Sequence, residues 1–146
     1  MQRHHSLIPL SHEHKRLLFA CRYLKKDAAP YKGFPLDTNA RLQYIVSVFQ
    51  EVMVGHIQKE EYLFDRCKGQ HPDIDILIQE LLLEHQQISR MYSALSEPGT
   101  ALDDTMDTLA RSLETHIRKE ERILFQLIQQ HLPDTLAQLN FNNTWS

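Results

Sequence analysis

Four histidines and two glutamates in this chain of 146 residues stand at spacings from which their side chains could converge on metal. His56 and Glu60 form one His-x-x-x-Glu pair and His116 and Glu120 a second, while His14 precedes the first pair and His85 the second. On a helix, residues four apart project from the same side one turn apart, so both members of a pair can bind one metal, or the carboxylate can bridge to another. Four imidazoles and two carboxylates are too many for one tetrahedral zinc and about right for a dinuclear site. Imidazole combined with carboxylate suits iron, and also manganese or zinc.

Each of the six interrupts an apolar face. His56 and Glu60 continue the series Phe49, Val52 and Met53 and lead into Leu63, and His116 and Glu120 fall between Leu113 and Leu124. His14 shares a face with Leu17, Leu18 and Cys21, and His85 lies between Leu81 and Ile88. All four histidines therefore point inward. A single inward histidine is ordinarily a satisfied core residue. Six converging ionisable groups are different, because a buried charge without a partner costs several kcal/mol.

The elements that must carry these residues are set by the breakers at Pro30 to Pro35, Gly69 to Pro72 and Pro98-Gly99. Four helices are predicted: from about Ser11, as N-cap, to about Asp27; from about Asp37, also an N-cap, to about Cys67, with Gly69 as the stop; from Asp73 to about Leu95; and from about Thr100 to His131, ended by Pro133. Apolar residues recur at three- and four-residue steps, and strand alternation is absent. Short connections favour antiparallel neighbours, so the expected fold is all-α, an antiparallel up-down-up-down four-helix bundle. It spans 10–132, with an N-terminal extension at 1–9 and a C-terminal tail at 133–146 that adds one turn. Helix rise places His56 and His85 at one level, each about 18 Å from the turn joining their helices. HIQKEEYLF at 56–64 matches HIRKEERILF at 116–125 with one extra residue before the second Phe, and SHEHKRLL at 11–18 and LLEHQQIS at 82–89 both centre on Glu-His. Two helical hairpins of one design, related by an internal twofold, are the expectation.

Composition narrows the function classes. Sixteen basic against nineteen acidic residues, a net charge of -3, give no basic field for nucleic acid or anionic lipid. No segment approaches the roughly 20 apolar residues of a membrane span, and the start, MQRHHSLIPL, lacks a signal-peptide core. A cytoplasmic protein with neither nucleic acid nor membrane as partner is expected. Cys21 and Cys67 fit that compartment as reduced thiols, since helix rise separates them by roughly 27 Å if His14 and His56 are level.

The order His, His-x-x-x-Glu, His, His-x-x-x-Glu on four helices resembles the hemerythrin-like proteins, the His-His-Glu cation-binding domains, from about Leu10 to His131. The resemblance implies a non-haem di-iron centre, oxo- or hydroxo-bridged, with His14, His56, Glu60, His85, His116 and Glu120 as ligands and both carboxylates spanning the two metals. Manganese or zinc are alternatives to iron. We expect His14 and His56 to serve one metal and His85 and His116 the other. Oxygen-carrying hemerythrins place a further histidine where this chain has Ser89, and end with an aspartate five residues after the last histidine rather than with Glu120. That departure argues against a stable oxygen carrier and brings the chain closer to members linked to iron handling and nitrosative or oxidative stress. The expected function is binding of, or reaction with, O2, NO or peroxide. Iron storage, donation or iron-centre repair is the alternative, and a structural bundle with a mononuclear metal the third. Enzymatic peroxide or NO chemistry stays open, as do protein partner and oligomeric state. Ferritin-like oxidases carry Glu-x-x-His instead, which is absent at these positions.

Other residues carry weaker expectations. His12 faces away, with replacement of His14 as its alternative role, and His4 and His5 could fold back over the open end of the site. Of Glu13, Glu61, Glu84 and Glu121, most are expected to be solvated, and one could accept from an imidazole N–H. Tyr92 is a better candidate than Tyr44 or Tyr62 for a hydrogen bond to a bound oxygen species. His71 is expected in a turn and His131 at a helix C-terminus.

Overall fold

The helix boundaries follow from identifiable caps. The computed structural model describes residues 2–141, among which five helices form and the only strand-like feature is an isolated bridge between Tyr31 and Phe34. Helix α1 is Ile8–Leu24, preceded by a 3-10 turn at His5–Leu7. Helix α2 (38–67) runs continuously through Thr38–Val48, a π turn at Phe49–Met53, and Val54–Cys67. Helix α3 is Pro72–Ala94; α4 (102–131) comprises Leu102–Lys119, a π turn at Glu120–Leu124 and Phe125–His131; α5 is Pro133–Ala137. The outer ends of the expected extension and tail, residue 1 and residues 142–146, lie outside the described residues.

Asp37 caps α2 as expected, its carboxylate accepting from the Ala40 N–H, and Gly69 takes the positive φ of 82° that ends the helix. Ser11 is not a cap. Helix α1 begins one turn earlier, because Pro9 opens it and the buried Leu7 and Leu10 extend its apolar face; Ser11 Oγ instead donates to Glu121 Oε2. His71 is the α3 N-cap, its Nδ1 accepting from the Asp73 N–H, and its ring lies 4.2 Å from that of His131 at the end of α4.

The apolar core is split. One cluster contains Leu17, Met53, Ile88 and Leu113, and the other Leu10, Leu63, Leu81 and Leu124. Each long helix contributes to both clusters, and in each the residues between the two contributions are the inward His and Glu. Cys21 lies in the first cluster and Cys67 in the second, both buried free thiols pushed up to about 12 by burial. Cross-helix pairs fix the neighbours: Arg16 with Glu51 at 2.8 Å joins α1 to α2, and Lys25 with Glu114 at 2.8 Å joins α1 to α4. Buried Arg41 donates to the carbonyl oxygens of Leu24 and Lys25 and to Asp103, tying the end of α1 to the starts of α2 and α4.

Candidate metal centre

The polar layer between the two clusters contains all six inward residues named from the sequence. His14, His56, Glu60, His85, His116 and Glu120 are each at most 3% exposed. Their donor atoms fall into two groups, each with all atoms within 4.8 Å of one another: His14, His56, Glu60 and Glu120, and Glu60, His85, His116 and Glu120. Either group could hold a metal ion, and both carboxylates are common to the two.

Glu60 is the hub. Its oxygens lie 3.2 Å from His14 Nε2, 2.9 Å from His56 Nε2, 2.8 Å from His85 Nε2 and 3.6 Å from His116 Nε2. Glu120 Oε1 is 3.2 Å from His14 Nε2 and 3.5 Å from His116 Nε2. These are ion-pair distances, but His56 Nε2, His116 Nε2 and both Glu120 oxygens have no hydrogen-bond partner of adequate geometry. Buried polar atoms are almost always satisfied. Orphaned imidazole nitrogens and carboxylate oxygens facing a common centre are what a cation-binding donor set requires, so the residues fit a metal.

The charges of the metal-free site follow from this crowding. Burial alone would lower the four imidazoles, but the neighbouring carboxylates outweigh it, raising His14 to about 11, His116 to about 10 and His56 to about 9, with His85 also raised. Burial opposes ionisation of Glu60 too, yet its histidine neighbours hold it well below the usual carboxylate range. Glu120 moves the other way, to about 7, driven by burial and by the adjacent Glu60 charge. The two carboxylates thus differ: one is an anion bound to imidazolium, the other a group poised to hold a proton.

Each inward imidazole has an outer anchor through Nδ1: His56 to Glu13 at 2.8 Å, His85 to Glu61 at 3.1 Å, His116 to Glu84 at 2.8 Å and His14 to Glu121 at 2.6 Å. A carboxylate can only accept, so Nδ1 carries the proton and Nε2 faces inward, the orientation a ligating histidine needs. The expectation that most of these glutamates are solvated is corrected, since all four accept from imidazole. They form a cycle in which α1 anchors the histidine of α2, α2 that of α3, α3 that of α4 and α4 that of α1. The available signal was their position next to an inward residue, before His14 and His85 and after Glu60 and Glu120. One residue's step turns a side chain by about 100°, from the core into the seam with the next helix. Lys59 holds Glu13, Lys119 holds Glu84, and Arg3 donates to Glu121 Oε1 at 3.0 Å while lying 5.3 Å above the Phe125 ring.

Other candidates are placed elsewhere. His12 is exposed, as expected. His4 and His5 do not reach the centre: their rings stack at 4.3 Å, and His4 Nδ1 accepts from the Ser6 N–H. Tyr92 packs rather than facing the site, its ring stacked on Phe49 at 3.9 Å. Tyr44 belongs to an aromatic cluster with Tyr23 and Phe34, and the Tyr62 hydroxyl accepts from the Asn140 N–H.

Comparison with known proteins agrees with this geometry. The family model described as Hemerythrin HHE cation binding domain matches residues 8–128. The iron-sulfur cluster repair protein YtfE of Edwardsiella ictaluri (strain 93-146) is 32% identical over 69 residues, which are 47% of this chain and 30% of that protein. This chain thus spans less than a third of that relative's length. No solved structure matches.

Proposed function

The chain belongs to the hemerythrin HHE cation-binding family, and from that premise we propose that it is a non-haem di-iron protein that binds or reacts with O2, NO or peroxide. The observation that carries this is the sharing of both buried carboxylates, Glu60 and Glu120, between two groups of metal-capable donors. In this reading His14 and His56 would hold one iron and His85 and His116 the other, with Glu60 and Glu120 shared between them. The irons, when bound, supply the electrons and open positions for a small oxidant. The chain's own residues orient and insulate. Outer glutamates fix each imidazole with Nε2 inward, Phe64 and Phe125 lie beside His85 and His14 with ring centroids 5.8 and 5.9 Å apart, and both apolar clusters exclude water from the ends of the polar layer.

The architecture we assign is an up-down-up-down four-helix bundle from α1 to α4. Partner residues across each seam support it, because numbers rise on one helix as they fall on the next: Arg16 with Glu51 and Glu13 with Lys59, or Glu80 and Glu84 both with Lys119 opposite His116 and His85. No helix among the described residues is long and apolar enough to cross a membrane, and the two buried free thiols suit a cytoplasmic location.

A second reading, iron storage or donation in the repair of iron centres under stress, is favoured by the similarity to the protein named for iron-sulfur cluster repair. One experiment separates the two: metal content by mass spectrometry, with ultraviolet-visible spectra of the iron-loaded protein in air and after anaerobic reduction. About two irons per chain, with oxo-bridge bands that bleach on reduction and return with O2, support gas or redox chemistry. Iron readily lost to a chelator, without such bands, supports donation. A tightly held zinc would sink both.

A further inference from the structure

The outer ring of carboxylates is uneven. Glu13, Glu84 and Glu121 each carry a basic partner, and their side chains are 23%, 24% and 25% exposed. Glu61, the anchor of His85, has no lysine or arginine within ion-pair distance among the described residues, and its side chain is 49% exposed. Beside it His85 lines a surface groove of about 310 Å³ between α2 and α3, bordered by Ile57, Gln86, Ser89 and Arg90. Glu61 also lines a second hollow, of about 430 Å³, which adds the carboxylates of Asp65 and Asp75. His85, 3% exposed, therefore lines one surface hollow, with the small, exposed Ser89 one turn away, and Glu61 is common to that hollow and the acidic one.

We propose that divalent cations enter and leave the buried site through this α2–α3 seam, with Glu61 as the first carboxylate they meet; the proposal rests on the metal-binding reading above. At the α1–α2, α3–α4 and α1–α4 seams an approaching cation meets Lys59, Lys119 or Arg3, a repulsion at close range and a carboxylate already engaged. At the α2–α3 seam it meets Glu61, whose carboxylate no lysine or arginine among the described residues engages, with Asp65 and Asp75 in the hollow on its other side. Glu61 can turn from His85 Nδ1 toward water without breaking a lysine or arginine pair, which frees the ring it orients. Each hollow also has one basic residue in its lining, Arg90 in that of His85 and Lys68 in that of Asp65, and neither lies within ion-pair distance of Glu61.

The test mixes metal-free protein with Co²⁺ in a stopped-flow spectrophotometer and measures final metal content by mass spectrometry. Glu61→Lys replaces the anchoring carboxylate of that corner by a cation, and Ser89→Phe fills the groove without touching a carboxylate. Both are expected to load on the order of tenfold more slowly; Ser89→Phe, which leaves the His85 anchor in place, is also expected to reach wild-type content and to release Co²⁺ to a chelator correspondingly slowly. Asp27→Lys, an equal change of charge at the end of α1, is expected to load at the wild-type rate. A wild-type loading rate in Ser89→Phe or in folded Glu61→Lys overturns the route while leaving the metal site intact. Equal slowing in Asp27→Lys also overturns it, since overall charge then sets the rate. A wild-type chain that takes up no Co²⁺ overturns the metal-binding reading itself. Should Glu61→Lys fail to fold, by circular dichroism, Ser89→Phe decides alone.

Discussion

The two central glutamates are equivalent as members of the donor groups and unequal in charge, which gives a sharp prediction. Each belongs to both donor groups, so replacing either by Ala should remove most bound metal. In the metal-free protein the outcomes diverge. Glu60 is the anion facing all four raised imidazoles, and taking away one partner of a buried charge pair costs about 3–5 kcal/mol. At pH 6 the imidazoles of the wild-type chain are charged, and without Glu60 burial lowers them again, so proton loss takes up part of that cost. Glu120 is mostly protonated at pH 6, and neither of its oxygens has a hydrogen-bond partner. Its replacement by Ala loses burial of one methylene, about 0.8 kcal/mol, offset by relief of an unsatisfied polar group worth about 1–3 kcal/mol. The net effect is close to zero.

For a domain of this length each kcal/mol moves Tm by about 2–4 °C. Metal-free Glu60→Ala should therefore melt roughly 10 °C below wild type at pH 6, and Glu120→Ala within about 3 °C of it. The assay is calorimetric melting of chelator-treated protein, with metal content of untreated samples measured alongside. Equal Tm losses would refute the assigned charge states. Loss of metal from only one variant would refute the sharing of both carboxylates.

Three further outcomes are expected. Glu84→Gln, which removes the anchor's charge from His116 and leaves the inward donors alone, should weaken metal affinity about 10–100-fold by competition titration and keep the saturating stoichiometry. Metal-free protein should lose Tm as pH rises through about 9, 10 and 11. Histidines whose folded pKa exceeds the unfolded 6.5 contribute fully below 6.5 and progressively lose that contribution as they deprotonate; metal-loaded protein, with neutral imidazoles, should lack this decline. Deleting Ile123, the half-exposed residue inside the α4 π turn, should leave Tm unchanged or higher, because the π turn becomes a regular α turn; a cooperative transition lost on deletion would contradict this.

The inward six were legible because burial of a polar residue breaks a hydrophobic period, and the period is visible in one dimension. Their grouping was legible because His-x-x-x-Glu holds two donors on one helical face. The anchoring glutamates were obscured for the opposite reason. Glu13 and Glu121 sit where a surface carboxylate would sit, and what distinguishes them is the adjacent helix, whose His56 or His14 faces the same seam. Arg3 was hidden more deeply, since its partner Glu121 is 118 residues away. Tyr92 shows the limit of spacing alone. Seven residues from His85 returns it to nearly the same face, but two turns along, where Phe49 offers a stacking partner.

The imperfect internal repeat has a structural solution. Between Glu60 and Phe64 there are four steps, and between Glu120 and Phe125 five. In a regular α-helix the fifth step would rotate Phe125 by about 100° away from the core. The π turn absorbs it: the Phe125 N–H bonds to the Glu120 carbonyl five residues back, so five residues advance the face about as far as four do in α2. Both rings are consequently fully buried in one cluster and lie nearly parallel to an inward imidazole, Phe64 to His85 at 18° and Phe125 to His14 at 12°. Glu120 opens that turn, whereas Glu60 lies within regular α-helix, with the α2 π turn ending three residues before His56. The twofold therefore holds for donor identity and fails for backbone at the two carboxylates, and it is there that the charge states part, Glu60 held ionised and Glu120 drawn toward its proton.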